Sequence, residues 1–144
     1  MILASFLSLA LILITVVIHY QGLCWLSCFY RSRKSHANIR LPMIMFGMTC
    51  LHLIEILLYA GVFFLLHHYS TNGGFTEAFE ATVWNYVYFS GVNYTTLGMS
   101  EFYPTGHFKV LAFTEALNGF MMLTWSATFF YSLAGQFFQN PDSQ

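Results

Sequence analysis

The chain has 144 residues, of which 57% are hydrophobic and only 8% charged. A soluble domain carries about 25% charged residues, so this chain has too little polar surface to stay wet, and the lipid bilayer is its expected solvent. A net charge of −1 offers nothing to nucleic acid, and three cysteines, an odd number, make no disulfide framework.

The first apolar run, Ile2–Leu26, has no charged residue and exceeds the ~20 residues that a spanning helix needs. No basic stretch precedes it and no small-residue cleavage site follows, so residues 1–28 read as a retained span rather than a signal peptide. Cys24 and Cys28 stand one helical turn apart within it, a spacing that suits neither redox nor zinc chemistry; they read as packing residues. His19 is expected to snorkel or to pair with a neighbouring helix. Residues 29–40 form a loop holding four of the five basic residues, Arg31, Arg33, Lys34 and Arg40. Short basic loops stay in the cytoplasm. This places the N-terminus outside and fixes the direction of every later span.

The second span, residues 41–67, starts at Pro42, where a missing N–H costs nothing, and ends at His67-His68 and the external turn Ser70–Phe75. The His pair reads as interfacial; a pH-sensing role is the weaker reading. The last span lies within residues 107–138; its apolar run Phe108–Phe138 would be roughly 46 Å long at 1.5 Å per residue, so it must tilt, kink or protrude beyond the bilayer core. Residues 139–144 form a cytoplasmic tail, with Asn140-Pro141 as the stop.

Between these spans both flanks are external. The stretch must stay outside or dip in and return. Residues 76–92 read as a helix with Thr76 as its N-cap and Glu77 and Glu80 in its first turn. Its apolar part is too short to span and too apolar for a surface loop, which suggests a re-entrant segment. Residues 93–101, "NYTTLGMSE", follow without helical or strand periodicity. Irregular backbone at membrane depth is tolerated where it lines a water-filled cavity or is buried in protein. Span, re-entrant helix, polar segment and span together outline a pore.

The order outer helix, pore helix, filter and inner helix resembles the tetrameric potassium-channel superfamily, whose filter consensus is T-T-V-G-Y-G-D. Thr95, Thr96 and Gly98 match it outright, and Leu97 and Glu101 match in kind. The chain looks most like small bacterial two-helix channels with an added first span. The resemblance implies an all-α membrane protein of three transmembrane helices plus a re-entrant pore helix and filter loop, assembled as a homotetramer around residues 41–138. It implies carbonyls of Thr96, Leu97 and Gly98, and less firmly Met99, around a permeating monovalent cation, most simply K⁺. Thr95 and Ser100 flank that set, and Glu101 would form an acidic ring at the external mouth. Gly119 falls near the family's hinge glycine, and Tyr88-Phe89 fall at its aromatic cuff. Thr124 and Ala127 are candidates to face the inner cavity.

Three departures stand out. Met99 replaces an aromatic that can hydrogen-bond behind the filter. Ser100 replaces a glycine, which costs about 1–2 kcal/mol if the site is left-handed. Val92 stands where the family has an acid. A remodelled outer filter with fewer ion sites and weaker discrimination of K⁺ from Na⁺ is expected.

Two acids remain inside the membrane. His52, Glu55 and Tyr59 share one face of the second span. Their preferred reading is an interhelical hydrogen-bond cluster tying the second span to the first; a metal or haem site using His52 and Glu55 is the alternative, and belongs to a different functional class. Glu115 reads as a brace between inner and pore helices, or as a gating group with Gly119. No catalytic residue and no resident cofactor is expected. The expected partners are lipid and identical subunits, with no soluble partner, in a plasma membrane. A non-selective or poorly conducting relative is the runner-up.

Overall fold

The computed structural model describes residues 2–32, 37–69 and 73–139. Residues 33–36 at the centre of the basic loop, 70–72 in the turn and 140–144 in the tail lie outside the described residues; the loop expected over 29–40 is shorter, because residues 29–32 continue the first helix and 37–40 open the second. Four helices carry the fold: α1 (Ile2–Ser32), α2 (Ala37–Tyr69), α3 (Val83–Tyr94) and α4 (Phe108–Gln139). Two three-residue strands, β1 (Gly73–Phe75) and β2 (Pro104–Gly106), flank α3 and pair antiparallel, with Gly74 opposite Thr105.

The long helices are inside-out relative to those of a soluble bundle. On α1 the inward stripe contains Ser8, Leu11, Thr15, His19, Leu23 and Leu26, while Phe6, Leu9, Leu13 and Val17 are exposed. On α2 the buried Glu55 lies between exposed Leu53, Ile54 and Leu57. On α4 the buried Glu115, Asn118 and Ser126 oppose exposed Phe113, Leu117, Phe120 and Met121. Polar groups turned inward and apolar groups turned outward are what lipid requires, because a polar side chain facing hydrocarbon has no partner. By length and hydropathy α1 and α2 can cross a membrane, over Ser5–Phe29 and Ile39–Tyr69.

Helices α1 and α2 interlock through glycines. A Cβ on Gly22 would sit 2.7 Å from Leu51, and one on Gly47 would sit 2.6 Å from Leu26. Each leucine fills the notch that the facing glycine leaves, the close approach that small residues give membrane helices. At the strand end, Phe63 meets Phe75, Phe89 and Phe108, and Phe75 stacks on Phe79 at 4.1 Å. His67 Nδ1 lies 2.6 Å from the Tyr86 hydroxyl within this aromatic cluster. His67 is therefore tied to α3, whereas His68 is exposed.

Several boundaries differ from expectation. The helix expected from Thr76 starts at Val83, capped by Thr82, whose hydroxyl accepts from Asn85 N. Thr76 is committed elsewhere: its N–H donates to Tyr103 O at 3.0 Å and its hydroxyl accepts from Tyr103 N, extending the ribbon by one residue. Glu77 and Glu80 consequently lie outside the helix's first turn. The two strands are an addition to a chain read as wholly helical; they pin together the two ends of the excursion that contains α3. Pro42 lies inside α2 rather than at its start, so one carbonyl in the preceding turn lacks its intrahelical donor.

Candidate functional site

Helix α3 ends in a Schellman motif. Leu97 N donates to Val92 O at 3.1 Å and Thr96 N donates to Asn93 O at 3.0 Å, the paired bonds that close a helix through one left-handed residue. That residue is Thr96, at φ 58°, where glycine is the common choice. Thr95 anchors the turn with its hydroxyl, which donates to Gly91 O at 2.6 Å. Two residues on, Gly98 is again left-handed, at φ 66°. A Cβ there would meet nothing within 4 Å, so glycine answers a backbone requirement and not a lack of space.

Residues Thr96–Met99 are exposed, Leu97 at 64% and Met99 at 76%. The segment is held at both ends. Beyond it, Ser100 Oγ accepts from Phe102 N and donates to Phe102 O, at 3.1 and 2.9 Å. Phe102 is buried, with its ring edge-on to Phe79 at 5.0 Å. Glu101, between these anchors, is exposed. The left-handed strain expected at Ser100 is absent; it falls on Thr96, because the helix end demands it there. The Met99 carbonyl accepts a hydrogen bond from the Tyr88 hydroxyl at 3.1 Å. An aromatic on α3 thus braces the backbone at the position where the side chain of the loop itself cannot.

Glu115 joins α4 to α3. Its Oε2 accepts from Asn93 Nδ2 at 2.7 Å, and its Oε1 lies 2.5 Å from the Ser90 hydroxyl. Asn93 also donates to Ala112 O. The bracing reading of Glu115 agrees with these contacts. Gly119 has a packing reason to be glycine: a Cβ there would lie 2.1 Å from the Tyr94 carbonyl oxygen. The last turn of α3 rests directly on the α4 backbone.

The polar cluster on α2 draws in all four helices. His19 Nδ1 on α1 lies 2.9 Å from Glu55 Oε1, and His19 Nε2 lies 3.2 Å from Ser126 Oγ on α4. The Tyr94 hydroxyl at the end of α3 donates to Glu55 Oε2 and lies 3.1 Å from His52 Nδ1. His19, Glu55 and Tyr94 are fully buried. Tyr59 shares the helix face but turns to Asn118, which also donates to Thr15 Oγ1 at 2.8 Å. The ligand atoms of His19, His52 and Glu55 lie within 4.8 Å of one another; within the cluster His19 bonds Glu55 and His52 bonds the Tyr94 hydroxyl.

Of the residues singled out in sequence, Thr95 to Glu101 form one continuous segment, exposed at Thr96–Met99 and Glu101 and half-buried at Thr95 and Ser100, and Glu115 and Gly119 sit behind it against α3. Ser90 and Ser126 are not singled out there, and Asn93 and Tyr94 stand only as the start of the polar segment 93–101, although both belong to α3. Their signal is faint: each is an ordinary residue whose partner is far away in sequence. Thr124, Ala127 and Thr128 lie on the exposed side of α4.

Residues 51–136, more than half of the chain, match the model of a family described as "Ion channel". No curated protein and no solved structure matches the chain.

Proposed function

The chain belongs to this ion-channel family of the two-helix, potassium-channel-like type, and from that membership we propose that it is the pore-forming subunit of a homotetrameric cation channel. In this reading α2 and α4 cross the bilayer, α3 is the re-entrant pore helix, and residues 95–100 line the ion path. Helix α1 is a third span. The basic loop between α1 and α2 faces the cytoplasm, which leaves the N-terminus outside.

One observation carries the proposal. In the exposed segment after α3, alternate residues Thr96 and Gly98 have left-handed φ. An ordinary strand points successive carbonyls to opposite sides. Alternating handedness turns successive peptide groups the same way, so that successive carbonyls can line one face. Four such segments around an axis would present rings of carbonyls to replace an ion's hydration shell. One subunit alone cannot surround an ion, and it leaves Leu97 and Met99 exposed, which favours assembly. Glu101, exposed at the outer end, would raise the local cation concentration.

The Tyr88 hydroxyl on Met99 O draws that carbonyl toward α3. The ligand set is then Thr96, Leu97 and Gly98. With fewer sites than the consensus filter, K⁺ is conducted but separated less sharply from Na⁺. Reversal potentials of the reconstituted protein in opposed K⁺ and Na⁺ gradients test this. A modest K⁺ preference is expected; strong K⁺ selectivity would refute the shortened filter, and absence of cation current from an intact tetramer would refute the channel.

A further inference from the structure

We infer that α1 is a positioning element for the ion path: through His19 and Glu55 it holds Tyr94, the residue on which the filter segment is hung. The functional half of this inference rests on the channel reading above; the structural half does not.

The line begins at a ring with both nitrogens engaged, His19 Nδ1 to Glu55 and Nε2 to Ser126. A neutral imidazole meets this arrangement by donating from Nδ1 and accepting the Ser126 proton at Nε2. Glu55 spends one oxygen on His19 and the other on the Tyr94 hydroxyl. His52 completes the shell, its Nδ1 3.4 Å from Glu55 Oε2 and 3.1 Å from the Tyr94 oxygen. No member has room to move alone, because each is the partner of the next.

Tyr94 is clamped from two directions. Its hydroxyl lies in this line, and its carbonyl lies against Gly119 of α4. It is also the last residue of α3, directly before Thr95 and the left-handed Thr96. The Schellman bonds from Thr96 and Leu97 fold back onto Asn93 and Val92, the two residues before Tyr94. Any rotation of this last turn is therefore passed to Thr96 and Leu97 through covalent bonds and two hydrogen bonds.

Adhesion alone does not account for the polar line. The Gly22–Leu51 and Gly47–Leu26 interlocks already hold α1 to α2, and Thr15 already joins α1 to Asn118 of α4. What the His19 line adds is a connection to the end of α3. A buried carboxylate that loses one donor is left with an unsatisfied oxygen at a cost in free energy, and the groups that must rearrange around it are Tyr94 and His52. Loss of His19 is thus felt at the root of the filter, far along the chain from the substitution.

The test uses the full chain as purified oligomer and in liposomes. His19→Ala removes the line, His19→Asn restores a donor at the Nδ1 position, and Leu13→Ala trims an exposed position on α1. Hydrogen exchange of the Thr96 and Leu97 amides should accelerate by about 10-fold or more in His19→Ala, return toward the original rate in His19→Asn, and stay unchanged in Leu13→Ala. The K⁺/Na⁺ permeability ratio should change in the same order. Should His19→Ala fail to fold, Tyr94→Phe cuts the same line at its far end with one atom removed, and the same acceleration is expected. Unchanged exchange at these amides in folded His19→Ala or Tyr94→Phe overturns the inference. So does a stoichiometric metal ion in the purified protein that His19→Ala releases, since a bridging ion would then replace the hydrogen-bonded line. If the original protein carries no current, the channel reading fails while the exchange result still decides the structural half.

Discussion

Replacing Gly119 with alanine separates two roles for this residue. The added Cβ would lie 2.1 Å from Tyr94 O and 2.8 Å from Tyr94 C. Both are backbone atoms at the end of a helix, so neither can swing aside as a side-chain terminus would. Relief requires α3 and α4 to separate by about 1 Å. Overpacking of a close contact costs about 1–3 kcal/mol, and backbone against backbone belongs at the upper end. Alanine recovers about 1 kcal/mol of helix propensity over glycine. The net is a destabilisation of roughly 2 kcal/mol, or a fall in melting temperature of roughly 4–8 °C for a chain of this size. Gly61 and Gly135 provide the controls, since a Cβ at either meets nothing within 4 Å. Their alanine variants should melt at or slightly above the parent temperature. Thermal melts of all three in detergent make the comparison. If Gly119→Ala melts with the controls while opening kinetics change, Gly119 acts as a hinge and the packing account is wrong.

Tyr88→Phe removes the hydroxyl that holds Met99 O. About 1 kcal/mol of stability should be lost, and permeability ratios should change as that carbonyl is freed to join the ligand set; an unaltered ratio would show that this bond does not shorten the filter. Glu115→Leu removes the acceptor that joins Ser90 and Asn93 to α4; Ser90 keeps Ile56 O and Asn93 keeps Ala112 O, so the loss should be about 1 kcal/mol per subunit in a thermal melt. Thr82→Ala deletes the cap that accepts from Asn85 N and should cost about 1 kcal/mol, with faster exchange confined to the first turn of α3.

The sequence reading was clearest where composition speaks. The apolar runs, the punctuation between them and the polar segment at residues 93–101 are all local features. The strands were not legible, because Gly73–Phe75 and Pro104–Gly106 are too short and too rich in Gly and Pro to alternate. Without them the start of α3 is misplaced, since Thr76 looks like a cap until its ribbon partner Tyr103 is known. The left-handed turn after α3 is hidden by chemistry: position 96 is Thr, where a Schellman motif usually shows Gly, whereas Ser100 stands where the family pattern has a glycine. Gly119 matched a hinge by alignment to the family pattern, whereas its close neighbour, Tyr94 O, is visible only in three dimensions. The cluster at Glu55 was half legible. His52 and Tyr59 are neighbours by helical spacing, but His19, Tyr94 and Ser126 come from three other helices. For the same reason α1, read as an addition to a two-helix channel, is bonded to both of the helices that it flanks.

Passive ion conduction through the Thr95–Ser100 segment is tested most directly by K⁺ flux into liposomes containing the purified full chain, compared with its Gly98→Ala variant. At φ 66° with open space around it, Gly98 should take alanine at about 1–2 kcal/mol of backbone strain and without a clash. The account predicts gradient-driven K⁺ flux in the original protein and its loss in Gly98→Ala at unchanged oligomer size. Equal flux in both, or none from the intact original oligomer, would contradict it.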